Sequence, residues 1–239
     1  MNSPDNTGKE ILQVISKASK FNQWMYETIR PYTKGNILET GSGLGNISAF
    51  FVADGANITL SDTEKIYIDF LKLTFSKGSQ IKEILQIDLQ HPSFETEYSS
   101  LKNRYDSIIL INVLEHLPDD EAAIRNCHFL LRQKGTMVIL TPAYSFLYSR
   151  LDKALGHCRR YTYLNLRLLV NSNCFYVSKG FYFNALGIIA WLYGKFIGLK
   201  TIPANKMNMF NKLTPLARLI DNLAFNRIGL SVIIVGEKK

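Results

Sequence analysis

The chain has 239 residues, 46% apolar and 20% charged, with 28 lysines and arginines against 20 acidic residues and a net charge of +8. That composition describes one folded domain with a sizeable core and excludes whole-chain disorder and fibrous repeats. Cys127, Cys158 and Cys174 are too few and too widely spaced for a disulfide framework or a paired-cysteine zinc site, and the polar start from Met1 to Glu10 carries no secretory pattern, so a cytoplasmic protein is expected.

Ile11 to Ile29 places apolar residues at helical spacing and Pro31 ends the run, which predicts one or two helices forming an N-terminal lid over residues 1–34. Short apolar runs follow at Asn36 to Thr40, Asn57 to Ser61, Lys82 to Ile87, Asp106 to Asn112 and Thr136 to Thr141. Between them Asn46 to Ala53, Glu64 to Ser76 and Asp119 to Arg132 read as helices, the last closed by Lys134 and Gly135. Beyond Thr141 the pattern gives helices at Tyr144 to Leu155 and Thr162 to Asn171, and strands at Phe175 to Phe183 and Leu230 to Val235. Alternating strands and helices build a parallel sheet covered on both faces. The expected fold class is therefore α/β: a Rossmann-like, seven-stranded, mostly parallel sheet over residues 35–239, with helices on both faces and an antiparallel C-terminal strand.

Phe181 to Leu199 is apolar and approaches membrane-spanning length, but Gly187, Gly194 and Gly198 weaken a single helix. The expectation is an amphipathic insertion at about 184–227 that covers either an active site or a lipid interface. The basic excess gathers here: Lys195, Lys200, Lys206, Lys212, Arg218 and Arg227 stand against Asp221 alone. Trp191 and Tyr193, beside Lys195 and Lys200, read either as a membrane-facing edge or as part of a packed lid. Trp24 and Tyr26 read either as a lid over a ligand or as core.

The densest motif is Glu39-Thr40-Gly41-Ser42-Gly43-Leu44-Gly45-Asn46, an apolar strand entering a G-x-G-x-G turn. Such glycines let the backbone approach a ligand closely. Asn46 stands where a dinucleotide fingerprint needs glycine, and a carboxylate at Glu39 would repel a pyrophosphate while suiting a cation. Asp62 closes the second strand, where an acid can accept both hydroxyls of a ribose, and Thr63 adjoins it. Asp88 closes the third strand; its carboxylate can take an adenine amino proton while Leu89 packs on the ring. Three acidic strand ends and one glycine loop describe a nucleoside carrying positive charge.

On these motifs, together with Asp106-Ser107-Ile108-Ile109-Leu110-Ile111-Asn112-Val113-Leu114-Glu115-His116-Leu117, the sequence resembles the class I S-adenosylmethionine-dependent methyltransferases. The resemblance implies that S-adenosylmethionine is bound and S-adenosylhomocysteine released. Glu39, Gly41, Ser42, Gly43 and Gly45 would hold the methionine part, Asp62 and Thr63 the ribose, Asp88 and Leu89 the adenine, and Asn112 would line the methyl-donor pocket.

Methyl transfer to a hydroxyl needs alignment and a base. His116 and His157 are the candidates, each with a plain alternative as a capping or core imidazole. His157 lies in Leu151-Asp152-Lys153-Ala154-Leu155-Gly156-His157-Cys158-Arg159-Arg160-Tyr161, similar to a segment L-D-x-A-x-G-H-x-R-R-Y of a bacterial methyltransferase group, with Cys158 at a position often aromatic. Tyr144, Arg159, Arg160 and Tyr161 are candidate substrate ligands for a carboxylate or phosphate; the alternative is a solvated basic cap. No metal is expected. Asn112-x-x-Glu115-His116 with His157 is nonetheless similar to the E-x-x-E-H…H metal site of certain methyltransferases, which would make Glu115, His116 and His157 the ligands, with Asn112 replacing one carboxylate.

The expected function is methyl transfer to oxygen on a small anionic or lipid-linked metabolite, in the cytoplasm or peripheral to the inner face of the membrane. A nucleic-acid methyltransferase suits the charge, but no N-P-P-Y type motif follows the fourth strand. A cofactor-binding scaffold at a membrane is the non-catalytic alternative.

Overall fold

The computed structural model describes residues 18–75, 81–199, 201 and 207–239. Ile11, Leu12, Ile15, Lys200 and Lys206 lie outside the described residues. Helix α1 spans Ser19–Ile29. The βα alternation follows as β1 Ile37–Thr40, α2 Ser48–Ala53, β2 Ile58–Asp62, α3 Lys65–Thr74, β3 Ile81–Gln86, α4 Phe94–Glu97, β4 Tyr105–Ile111, α5 Asp120–Leu130 and β5 Leu131–Pro142. The second half holds α6 Arg150–Leu155, α7 Tyr163–Ser172, β6 Phe175–Phe183, α8 Ala185–Phe196, α9 Met207–Leu223 and β7 Ser231–Lys238.

The seven strands form one sheet in the order β3-β2-β1-β4-β5-β7-β6. Pairing is parallel from β3 to β5, and β7 runs antiparallel to both β5 and β6. This is the predicted class. Side chains alternate across a sheet with period two, so neighbours in β4 and β5 enter opposite cores. Ile108, Leu110, Met137 and Ile139 join α5 and α7 on one face. Ile109, Val138 and Leu140 join Trp24, Met25 and Phe51 on the other. Burial on both sides explains why these strands read as unbroken apolar runs. Strand order reverses between β1 and β4, which opens a crevice at their C-terminal ends.

Three local expectations are corrected. The helix predicted at Asp119 to Arg132 ends at Leu130, and β5 starts at Leu131 rather than Thr136. Lys134 (φ +61°) and Gly135, read as a helix stop, form an irregularity inside β5, where the register shifts between Tyr105↔Leu131 and Ser107↔Thr136. Tyr144 to Leu155 is not one helix: Tyr144 has φ +62°, a short 3-10 turn covers Ser145–Leu147, and α6 begins only at Arg150. A capping box starts it, in which the Ser149 and Asp152 side chains satisfy one another's backbone N–H groups. The apolar run Phe181 to Leu199 divides into the end of β6 and the helix α8, and among the described residues no helix is long and apolar enough to cross a membrane.

Candidate active site

The loop after β1 is fixed by backbone shape. Gly41, Gly43 and Gly45 have φ of +64°, +54° and +75°, a region that side chains disfavour. Space is equally restrictive: a Cβ on Gly41 would meet Val113 Cγ2 at 2.5 Å, and one on Gly45 would meet Phe75 Cε2 at 2.7 Å. The loop is thereby pinned between the segment after β4 and the end of α3.

Beneath it Glu39 is 4% exposed, and the hydroxyls of Ser42 and Ser48 donate to its Oε2. Burial pushes this carboxyl up to about 7, against those hydrogen bonds. Asp62 at the end of β2 accepts the Gly43 N–H on Oδ2 at 2.9 Å and the Glu64 N–H on Oδ1 at 3.0 Å, and so ties the second strand to the glycine loop. Burial holds its carboxyl above the usual range. Thr63 beside it is exposed. Asn112, also exposed, adopts φ +52° directly after β4 and donates its N–H to Leu140 O.

Asp88 is half-buried in a turn, its Oδ1 accepting the Gln90 N–H at 2.8 Å. Leu89, expected to pack on an adenine, is 3% exposed and belongs to the same buried cluster as Ile87 and Phe94. Its side chain therefore serves the core, which is a correction.

The two candidate histidines come from the turn Leu114–His116 after β4 and from the segment carrying α6. The rings of His116 and His157 meet edge to face with centroids 4.7 Å apart. One ligand-type atom each from Glu115, His116 and His157 lie within 4.8 Å of one another. Glu115 is fully buried; its Oε2 accepts the Thr141 hydroxyl at 3.0 Å, while Oε1 has no hydrogen-bond partner. Burial pushes its carboxyl up to about 7, with the His157 ring opposing. Burial, then the His157 ring, holds the His116 imidazole below its ordinary range.

The residue that organises this cluster is Asp152, to which the sequence reading gave no role. It is fully buried; Oδ1 pairs with His157 Nδ1 at 2.9 Å and accepts Arg160 Nε at 2.7 Å, and Oδ2 accepts the Ser149 N–H and hydroxyl. Burial alone would raise its carboxyl, and the His157 and Arg160 side chains more than offset that. The sequence signal was the spacing Ser149-x-x-Asp152, a capping box, which was overlooked.

Two predicted substrate ligands are held by the protein itself. The Arg160 side chain is 1% exposed; besides Asp152 it donates to Ala143 O and lies over the Trp191 ring at 4.3 Å. The Tyr161 hydroxyl, also buried, donates to Asp120 at 2.7 Å. Both support the site from within, because their polar atoms already have partners. Arg159 is 37% exposed, paired with Asp120 at 2.8 Å and donating to Pro118 O. Tyr144 is half-buried and stacks on Tyr182 of β6, centroids 5.0 Å apart. Trp24, 7% exposed, packs on Phe183, and Tyr26 stacks on Phe50. An apolar cavity of about 50 Å³ lies between α1, α8 and α9, lined in part by Trp24, Ala190 and Ala217, away from the histidines.

The family profile described as "Methyltransferase domain" matches residues 13–184 of this chain. The chain belongs to the methyltransferase domain family. Family and fold imply S-adenosylmethionine as the cofactor. Similar curated proteins include a ubiquinone biosynthesis O-methyltransferase of Azotobacter vinelandii, 25% identical over 118 residues, which are 49% of this chain and 48% of that one. The corresponding Xanthomonas campestris protein is 29% identical over 105 residues, 44% of this chain and 42% of that one. The chain thus spans about half the length of the curated relatives it matches. Among solved structures, an S-adenosylmethionine-dependent methyltransferase from Archaeoglobus fulgidus superposes with a TM-score of 0.58 at 17% identity, over 91% of this chain and 94% of that one. The cyclase SpnF also shares the fold, with a TM-score of 0.59 at 14% identity over 90% of this chain and 79% of that one. A shared fold alone does not choose the acceptor or the reaction.

Proposed function

We propose that this methyltransferase acts on an oxygen of a small, anionic or lipid-linked acceptor, with His157 as the general base and His116 lining the same pocket. The observation that carries it is the Asp152–His157 pair. Asp152 accepts from Nδ1, which leaves Nε2 as the nitrogen able to take a proton from an acceptor hydroxyl. The imidazolium so formed is stabilised by the carboxylate already bonded to it. The two arginines divide: Arg159, 37% exposed at the rim, could meet an anionic acceptor by exchanging its pairing with Asp120, whereas Arg160 fixes Asp152. Relatives named O-methyltransferases support an oxygen acceptor.

When bound, S-adenosylmethionine supplies a methyl group activated on a sulfonium. The residues present fit it, because the Gly41–Gly45 cradle leaves no room for side chains at Gly41 and Gly45 and sits over the buried Glu39 carboxyl. Gly41, Ser42, Gly43 and Gly45 would hold the methionine part, Asp62 and Thr63 the ribose, Asp88 the adenine, and Asn112 the methyl-donor pocket. A second reading is favoured by the unpartnered Glu115 Oε1: Glu115, His116 and His157 would hold a divalent cation that polarises the acceptor.

Calorimetric titration with S-adenosylmethionine and S-adenosylhomocysteine, followed by turnover on catechol-type and lipid-linked hydroxyl acceptors, tests the proposal. Asp62→Ala is expected to abolish cofactor binding. His157→Ala and Asp152→Asn should leave it intact while lowering kcat about 100-fold or more. Methyl found on nitrogen or carbon would refute the oxygen reading. Activity abolished by a chelator and restored by magnesium would move the base role to the metal reading.

A further inference from the structure

The C-terminal third has a charge pattern that the catalytic site does not use. From Ala154 to Gly236 the sequence contains one acidic residue, Asp221, among ten lysines and arginines. Asp221 is 2% exposed, with its two oxygens accepting the backbone N–H groups of Asn184 and Ala185. Residues 154–236 therefore offer cations to solvent and, among the described residues, no exposed carboxylate.

Among the described residues the same region displays exposed apolar side chains. On α8, Ile189, Leu192, Tyr193 and Phe196 follow the spacing of a single helix face and are 66%, 44%, 59% and 91% exposed. Trp191 is turned the other way, its Nε1 donating to Leu147 O at 3.0 Å. On α9, which packs against α8, Leu216, Leu219 and Leu223 repeat the pattern at 48%, 54% and 71%. Lys212 and Arg227 are exposed on and just after these helices, Lys195 is exposed with its Nζ donating one hydrogen bond to Phe146 O, and Arg218 is paired with Glu27.

We infer that α8 and α9 dock this protein onto an anionic phospholipid bilayer, their apolar faces entering the interface and Lys195, Lys212 and Arg227 meeting the headgroups. The charge selects this occupant. A second copy docking through the same surface would oppose like charges. A nucleic acid would satisfy the cations but leave aliphatic side chains such as Leu192 and Leu219 facing water or phosphate. A bilayer satisfies both at once: aliphatic and aromatic side chains enter the acyl boundary while each cation gains from the negative surface. At twelve residues α8 reaches about 18 Å, too short to span and suited to lying in the plane. The inference stands independently of the acceptor's identity, because it rests on surface residues outside the base and the glycine loop.

Sedimentation of the full chain with large vesicles tests it, comparing phosphatidylcholine alone with an equal mixture of phosphatidylcholine and phosphatidylglycerol. Binding to the anionic vesicles is expected to be at least tenfold tighter and to weaken with salt. Ile189→Ser with Phe196→Ser should lower it tenfold or more, and Lys212→Glu with Arg227→Glu by a similar factor. Far-UV circular dichroism and S-adenosylmethionine binding should stay unchanged, since all four positions are exposed. No binding to anionic vesicles, or binding that the apolar pair does not alter, would overturn the inference. So would self-association abolished by Ile189→Ser with Phe196→Ser, which would assign the face to a second copy. Tight binding of single-stranded RNA lost only in the charge pair would assign it to nucleic acid and equally overturn the proposal.

Discussion

Glu39 and Glu115 are carboxylic acids held inside the protein, each pushed from 4.5 up to about 7 by burial. The folded chain keeps these protons at pH values where the unfolded chain has released them. Stability contributed by each is therefore full below about pH 4.5, falls as pH rises toward 7, and stays low above it. Glu115→Gln keeps an oxygen to accept the Thr141 hydroxyl and removes the ionisation. Urea unfolding should show the variant more stable by about 2 kcal/mol at pH 8 and little changed at pH 4; equal effects at both would show that burial of the charge is not the cause. At this scale the meeting of the glycine loop and Asp62 was legible because both signals are contiguous with strand ends. Leu89, Arg160 and Tyr161 were misread because a sequence does not say which way a side chain faces. Asp152 went unread because its role appears only when α6 brings it beside His157.

Within the insertion, the start of α8 is tied to α9. Asn184 takes φ +65°, its Oδ1 accepts the Gly187 N–H, and Asp221 from α9 accepts the Asn184 and Ala185 N–H groups at 2.6 and 2.7 Å. The first turn of α8 thus depends on a carboxylate from the next helix. Asp221→Ala should cost about 2 kcal/mol and speed amide exchange in α8 more than in α5. Uniform exchange across both helices would show that the cap is not local. Elements with simple periodicity, such as β4 and α7, were legible to within a residue or two. The Tyr144 to Leu155 stretch was not, because its helical spacing of apolar residues survives a left-handed Tyr144 and a 3-10 turn. Lys134-Gly135 misled for a related reason: the pair that ends many helices also shapes an irregularity within a strand.

Sheet class was readable at the scale of the molecule from the alternation, and a closing strand from the β-branched run Leu230 to Val235; its antiparallel sense agrees with the expected fold class but is not carried by that run. Strand order was not readable, because periodicity carries no information about which strands become neighbours. The structure places β7 between β5 and β6, so that β6 holds to the sheet through β7 alone. A chain shortened after Leu230 should accordingly lose the cooperative unfolding transition and near-UV circular dichroism, and retention of both would show that β5 can end the sheet. The same placement sets a timetable during synthesis. Between Pro142 and Ser231 the ribosome must add 88 residues, which takes roughly 4–18 s at ordinary elongation rates. Throughout that interval the outer edge of β5, apolar on both faces, has no partner, and an open edge of that kind is a template for pairing with other chains. Conditions that slow elongation across α8 and α9 should lengthen this exposure and lower the yield of folded protein.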